Sequence, residues 1–270
     1  MRKLLNIAII GAVVCMAAAC DPVAEDNRLI YVKPADVKRN VLIEDFTGQR
    51  CVNCPVATAE IEKLQEQYGA DVVIAVGIHS GPFGHRTTMA SARLSLCTET
   101  GDEYYTHWGI TSQPGVIINR GTPIYNTAKY RDEVNKALEQ STPLQLDVEI
   151  GYTAETRRLD IDVAAMANTG LSGKLQVWLV ENNVVAQQSM PDGSMNNDYV
   201  HQHVFRTSVN ADIYGDDLTI AEGLAANKSY SITLDDSWLD SNVAVVAFVS
   251  NASSGVLQVV KKNIIDVTNE

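Results

Sequence analysis

Hydrophobic and polar positions change their rhythm twice along this chain. Residues 4–14 form an apolar run behind Arg2 and Lys3, broken by Asn6. About 11 residues fall short of the roughly 18 that a membrane-spanning helix needs, so a basic start before a short apolar segment predicts a signal peptide. Val41 to Phe46 and Asp71 to Ile78 are near-continuous apolar stretches, as strands covered on both faces require. Between them Ala57, Ile61, Leu64 and Tyr68 follow helical spacing. Pro55 falls in the first turn of that helix and Gly69 stands where a C-terminal glycine belongs. A long excursion, residues 79–108, contains a helix-like stretch from Thr87 to Leu96, and Gly121 turns the chain into a hairpin-like return. Tyr130, Val134 and Leu138 recur four apart on a closing helix, with Asn126 or Thr127 as its cap.

After Thr142-Pro143 the period becomes two. Leu144, Leu146, Val148, Ile150 and Tyr152 point one way, with polar residues between. Similar runs cover Leu159 to Val163, Leu175 to Val180, Tyr199 to Phe205, Tyr230 to Leu234, Val243 to Val249 and Val256 to Ile265. About seven short strands predict an antiparallel sandwich of the immunoglobulin-like class. The expected organisation is a signal peptide over 1–19, a tether over 20–40, a mixed α/β domain over 41–142 and an all-β sandwich over 143–270.

Composition narrows the function. The 270 residues are 46% hydrophobic and 20% charged, which excludes disorder. Asp and Glu number 33 against 21 Lys and Arg, a net charge of −12, so the basic footprint of a nucleic-acid binder is missing. Met16-Ala17-Ala18-Ala19-Cys20 resembles a bacterial lipobox, with Ala17 where leucine is usual. That resemblance implies that Cys20 is diacylated and becomes the new N-terminus; the alternative is ordinary cleavage after an Ala-x-Ala site. Either cut exports the chain, and lipid on Cys20 would hold it at a membrane, each buried methylene contributing about 0.8 kcal/mol.

Five cysteines are too few for a disulfide framework. Cys51-Val52-Asn53-Cys54 lies at the predicted strand-to-helix corner, with Cys51 expected at the helix N-terminus, where orphan N–H groups favour a thiolate. Dithiol exchange, a structural disulfide and half of a zinc site are all open to such a pair. A four-residue ring gains only about 1.9 kcal/mol from loop entropy, and a zinc site needs two more ligands, which Cys97 and a histidine would have to supply. His201 and His203 would share one strand face with Tyr199, a spacing able to chelate metal but more often structural. His79, His85 and His107 border the excursion as bystanders, Cys97 reads as a small buried hydrophobe, and Asp216-Asp217 and Asp235-Asp236 as solvated turn charges. No metal or cofactor is expected.

The order of elements over residues 41–140 resembles thioredoxin. The resemblance implies that Cys51 is the attacking thiol and Cys54 the resolving one. It further implies that Pro114 follows a cis peptide facing the disulfide, with the backbone of Gln113 free to pair with a substrate chain. Asp45, six residues before Cys51, would be the buried acid that takes the Cys54 proton, with Glu44 as its neighbouring alternative. Phe46-Thr47-Gly48, Cys51 to Pro55, Gln113-Pro114-Gly115 through Asn119-Arg120, and Tyr199 to Val204 also resemble landmarks of the twenty-eight-kilodalton outer-membrane lipoprotein family. The implied protein is a lipid-anchored envelope oxidoreductase acting on protein thiols or disulfides. The alternative is a surface or assembly lipoprotein whose sandwich binds a protein or glycan.

Overall fold

The continuous apolar stretches and the alternating ones end up in one sheet. The computed structural model describes residues 37–86 and 94–265. The expected signal peptide, Cys20, most of the tether and most of Thr87–Leu96 lie outside the described residues.

The chain begins with β1 (Val37–Lys38) and β2 (Val41–Thr47), then helix α1 (Cys54–Tyr68) and β3 (Val73–His79). Helix α2 (Glu99–His107), β4 (Gly115–Ile118), a 3-10 turn at Thr127–Lys129 and helix α3 (Tyr130–Leu138) follow. The rest is β-structure: β5 (Ser141–Thr142), β6 (Leu144–Thr153), β7 (Arg158–Ala167), β8 (Leu171–Glu181), β9 (Val184–Ser189) and β10 (Met195–His201). Then come β11 (Val204–Ser208), β12 (Asp216–Ile220), β13 (Ala225–Thr233), β14 (Val243–Asn251) and β15 (Gly255–Asn263).

Local chemistry explains the helix boundaries. Helix α1 starts at Cys54, with Asn53 before it and Pro55 in its first turn, so Cys51 precedes the helix and does not open it. It ends at Gly69, whose φ of 97° suits a residue without Cβ and whose N–H reaches Gln65 O at 2.9 Å. Asn126 caps the turn before α3 through its side chain, and α3 buries Tyr130, Val134 and Ala137.

The principal sheet runs β15-β14-β8-β11-β3-β2-β4, with β12 also on β8. β2 and β3 are parallel and in register from Val41↔Val73 to Thr47↔His79. β11 lies parallel to β3 at Val204↔Gly77 and antiparallel to β8, which joins the two halves of the chain. A second sheet, β13-β7-β6, packs one face against β8 and β14 through Leu144, Ile161, Val177 and Val245. On the other face of β8 and β14, Trp178, Val246 and Phe248 share a core with Phe46 of β2, Ile78 of β3 and Tyr104 of α2. Helices α1 and α3 cover the remaining face of β2 and β3.

This arrangement overturns the expectation of an α/β thioredoxin-like domain followed by a separate immunoglobulin-like sandwich. The molecule is predominantly β, with several sheets, and the described residues form one compact unit. The physical reason is hydrogen bonding at β3. Its far edge would expose unpaired backbone groups beside a fully buried apolar strand, and β11 pairs with it instead. Strands β8 and β14 are correspondingly buried on both faces over Leu175–Glu181 and Val243–Ser250, where a free sandwich would present one face to water.

Two consequences can be measured. A fragment of residues 37–142 should be aggregated and lack a cooperative unfolding transition in solution; a monodisperse, cooperatively melting fragment would show that β3 tolerates its open edge. Trp178→Ala should cost about 3–5 kcal/mol by denaturant titration, because the indole is fully buried in the shared core.

Candidate functional site

The Cys-x-x-Cys turn is shaped by contacts from three directions. Cys51 and Cys54 form a disulfide with Cα atoms 5.4 Å apart. Cys51 N–H donates to Gly48 O, and Arg50 N–H to Phe83 O, each at 2.9 Å. A Cβ on Gly48 would sit 2.4 Å from Phe83 O, so only glycine admits the backbone at Phe83. Fully buried Gln49 donates to Leu94 O and Gln187 O and accepts from Leu96 N–H. From β9, the buried Gln188 amide donates to Cys51 O at 2.9 Å. The turn is therefore fastened to the C-terminal half of the chain.

On the outer side, little of the disulfide meets solvent: Cys51 is 3% exposed and Cys54 1%. Beside it a groove of about 410 Å3 is lined by Asn53, Val56, Gln113, Pro114 and Tyr125. The Gln113–Pro114 peptide is cis. The Gln113 side chain turns inward, donating to Thr47 O at 2.6 Å and Ser80 O at 2.9 Å. Exposed Val52 and Val56 give this surface an apolar rim.

On the inner side, a cavity of about 20 Å3 lies against Cys54, bordered by Asp45, Thr47, His79, Tyr199, His201 and His203 among others. Burial pushes the Asp45 carboxyl up to about 7. Burial lowers His201 and His203 to about 4, and drives His79 well below its ordinary value near 6.5, with His201 and Arg206 pushing the same way. At neutral pH the three imidazoles are thus uncharged. Glu44 points elsewhere: its carboxylate pairs with Arg120 Nε at 3.7 Å. Desolvation raises Glu44, and the same burial lowers Arg120, which lies over the Phe248 and Trp108 rings.

The other singled-out residues are scattered. His201 and His203 do not share a strand, because β10 ends at His201 and His203 takes φ 43° before β11; both nonetheless border the cavity. Half-buried Cys97 is a free thiol, raised to about 11 chiefly by burial. His107 packs on Trp108 and Tyr214 at the end of α2. Asp216 accepts from Tyr230 and Asn210, Asp217 pairs with Lys174, Asp235 accepts from Ser237, and Asp236 faces Arg157. Among the described residues no group of three His, Cys, Asp or Glu side chains could hold a metal ion. Sequence reasoning missed Gln49 and Gln188, for which no motif exists, and treated His79 as a bystander.

With this geometry in hand, comparison with known proteins places the chain. The outer membrane protein Omp28 family matches residues 101–267, more than half of the chain. The protein belongs to that family, and its place is the cell envelope, at the outer membrane. Among the described residues no helix is long and apolar enough to cross a membrane. HBP35 of Porphyromonas gingivalis is similar in structure, with a TM-score of 0.66 and 17% identity over 86% of this chain and 77% of that one. A domain of the outer membrane lipoprotein Omp28 from Porphyromonas gingivalis aligns with a TM-score of 0.34 and 20% identity, over 46% of this chain and 88% of that one. The likeness to HBP35 is one of fold, and it extends across both halves of the principal sheet. Comparison with curated proteins returned no match.

The raised Asp45 value makes a signed prediction. An acid that holds its proton more tightly in the native state contributes stability that is fully present below about pH 4 and lost as pH rises to about 7. A shift from 3.8 to about 7 corresponds to at most about 4 kcal/mol. Asp45→Asn should therefore stabilise the protein at pH 8 and have little effect at pH 4, as read by urea unfolding at both values. Equal effects at the two pH values would mean that Asp45 is not the titrating group.

Proposed function

We propose that this outer-membrane protein exchanges thiols and disulfides with protein clients through Cys51 and Cys54. The observation that supports this reading is the closed Cys51–Cys54 pair with an acid titrating near neutrality in the cavity behind Cys54. In the reducing direction, the Cys51 thiolate attacks one sulfur of a client disulfide, and the client's other sulfur leaves as a thiolate. Cys54 gives its proton to the Asp45 carboxylate and attacks the Cys51 sulfur. The mixed disulfide breaks, the client's second sulfur leaves as a thiolate, both client thiolates take protons from solvent, and Cys51–Cys54 is oxidised by giving the client two electrons. In the oxidising direction the steps reverse, and protonated Asp45 returns the proton to Cys54. Gln188 positions the Cys51 carbonyl, the Pro114 groove receives the client backbone beside Gln113, and lipid on Cys20 would keep the centre at the membrane.

Family membership favours a second reading better. Neither the matched family nor the similar structures are named for an oxidoreductase, and a surface or assembly protein that binds a protein or glycan partner fits them. On this reading Val185 and Val200, directly paired between β9 and β10 and 56% and 47% exposed, form an apolar contact face.

The readings separate by experiment. Reduction of a model protein disulfide by the chain plus dithiothreitol should fall at least about a hundredfold in Cys51→Ser and be unchanged in Val185→Asp. Wild-type rates in Cys51→Ser would sink the exchange reading. Differential alkylation in the native compartment should find the pair partly reduced; a pair that never exchanges points to the surface role.

A further inference from the structure

Asp45, His79 and His201 come from β2, β3 and β10, yet they line the same cavity behind Cys54. Each carries a buried polar atom with no protein hydrogen-bond partner: Asp45 Oδ1, His79 Nδ1 and His201 Nε2. Leaving one such atom bare costs about 1–3 kcal/mol, so three around one space call for a common partner. The cavity, about 20 Å3, matches one water molecule, which needs two to four polar contacts. The rings of His79 and His201 meet edge to face with centroids 5.0 Å apart. His201 also hydrogen-bonds the backbone at Gln187 and Ala186, which makes its other nitrogen, Nε2, an acceptor.

We infer that His79 and His201 hold one water molecule against Asp45 Oδ1, and so position the group that exchanges a proton with Cys54. The water accepts from His79 Nδ1–H and donates to His201 Nε2 and to Asp45 Oδ1. The imidazoles stay neutral and act on Asp45 through the water. When Cys54–H gives up its proton, Asp45 takes it, and the water keeps a donor on whichever Asp45 oxygen remains bare. The water site stands on geometry alone, whereas its part in proton transfer rests on the exchange reading.

The charged and titratable groups around it belong to several elements. Cys54 faces Asp45 from α1 and Tyr130 from α3, while Tyr199 and His203 close the cavity from β10 and the link to β11. Arg206 acts on the imidazoles from β11, Lys261 on His203 from β15, and Glu62 on Tyr199 from α1. A donor on the charged carboxylate favours the charged form, so removing the water's support should move the Asp45 midpoint upward.

The test uses the full chain. Reduction of Cys51–Cys54 by dithiothreitol, corrected for the reagent's thiolate fraction, is followed from pH 5 to 9. The wild-type rate should fall through a midpoint near 7, as Asp45 loses the proton it supplies to Cys54. In His201→Phe or His79→Phe that midpoint should rise by about one pH unit, equivalent to a tenfold change in the proton equilibrium. His107→Gln should leave it in place. Folded variants with the wild-type midpoint overturn the proposal. Should neither variant fold, nitrogen-15 histidine resonances of the wild type decide: those of His79 and His201 must track the Asp45 titration, and the His201 ring must show cross-relaxation to a bound water. Flat resonances with no such water overturn it as well. Absence of reduction at any pH in the wild type would instead remove the exchange reading and leave the water site to the resonance measurement.

Discussion

An edge strand buried in apolar surroundings cannot leave its peptide groups unpaired, and β3 is such a strand. Its partner on one side is β2, and on the other is β11, which arrives from 127 residues further along at the Val204↔Gly77 pair. Gly77 N–H donates to His203 O at 2.8 Å, so the pairing begins one residue before the strand does. The segment that seals the edge must approach from the Cys54 side, and it carries Tyr199, His201 and His203 to that side with it. The chain leading into that segment places β9 over the cysteine turn, where Gln188 and Gln187 bond to Cys51 and Gln49. The architecture of the sheet and the make-up of the site thus have one cause.

Burial then sets the chemistry of that site. In low dielectric an acid holds its proton and a base gives its proton up, and the inner cavity contains both kinds. Asp45 moves up and the histidines move down, so all approach neutrality without any ion pair. A few residues away the molecule uses the other solution. Glu44 and Arg120 are buried as an opposed pair, with the guanidinium spread over aromatic rings between β2, β4 and β14. Alternate residues of β2 serve opposite faces, so Glu44 belongs to the aromatic core and Asp45 to the cysteines.

Several features could be read from residue order because they depend on neighbours in the chain. Pro55 and Gly69 bracket α1, Asn126 caps the turn before α3, and the alternation from Leu144 to Tyr152 is the burial pattern of β6. A warning against two independent bodies was also present. Val177 to Val180 and Val243 to Val249 are unbroken apolar runs, which a strand with one wet face does not need, and both lie in strands paired on each side within the principal sheet. Period-two counting let that signal pass as sandwich strands.

What residue order determined by itself was local: where helices start and stop, which strands have one apolar face, and that two cysteines three apart can close a ring. Those outcomes are governed by backbone preference and by side chains within a turn of each other. Tertiary structure alone decided that the two halves share a sheet, that Gln188 holds the cysteine turn, and that histidines from positions 79, 201 and 203 converge behind Cys54. Such choices follow from which distant edge completes the hydrogen bonds of β3, and no periodicity within either segment records its partner.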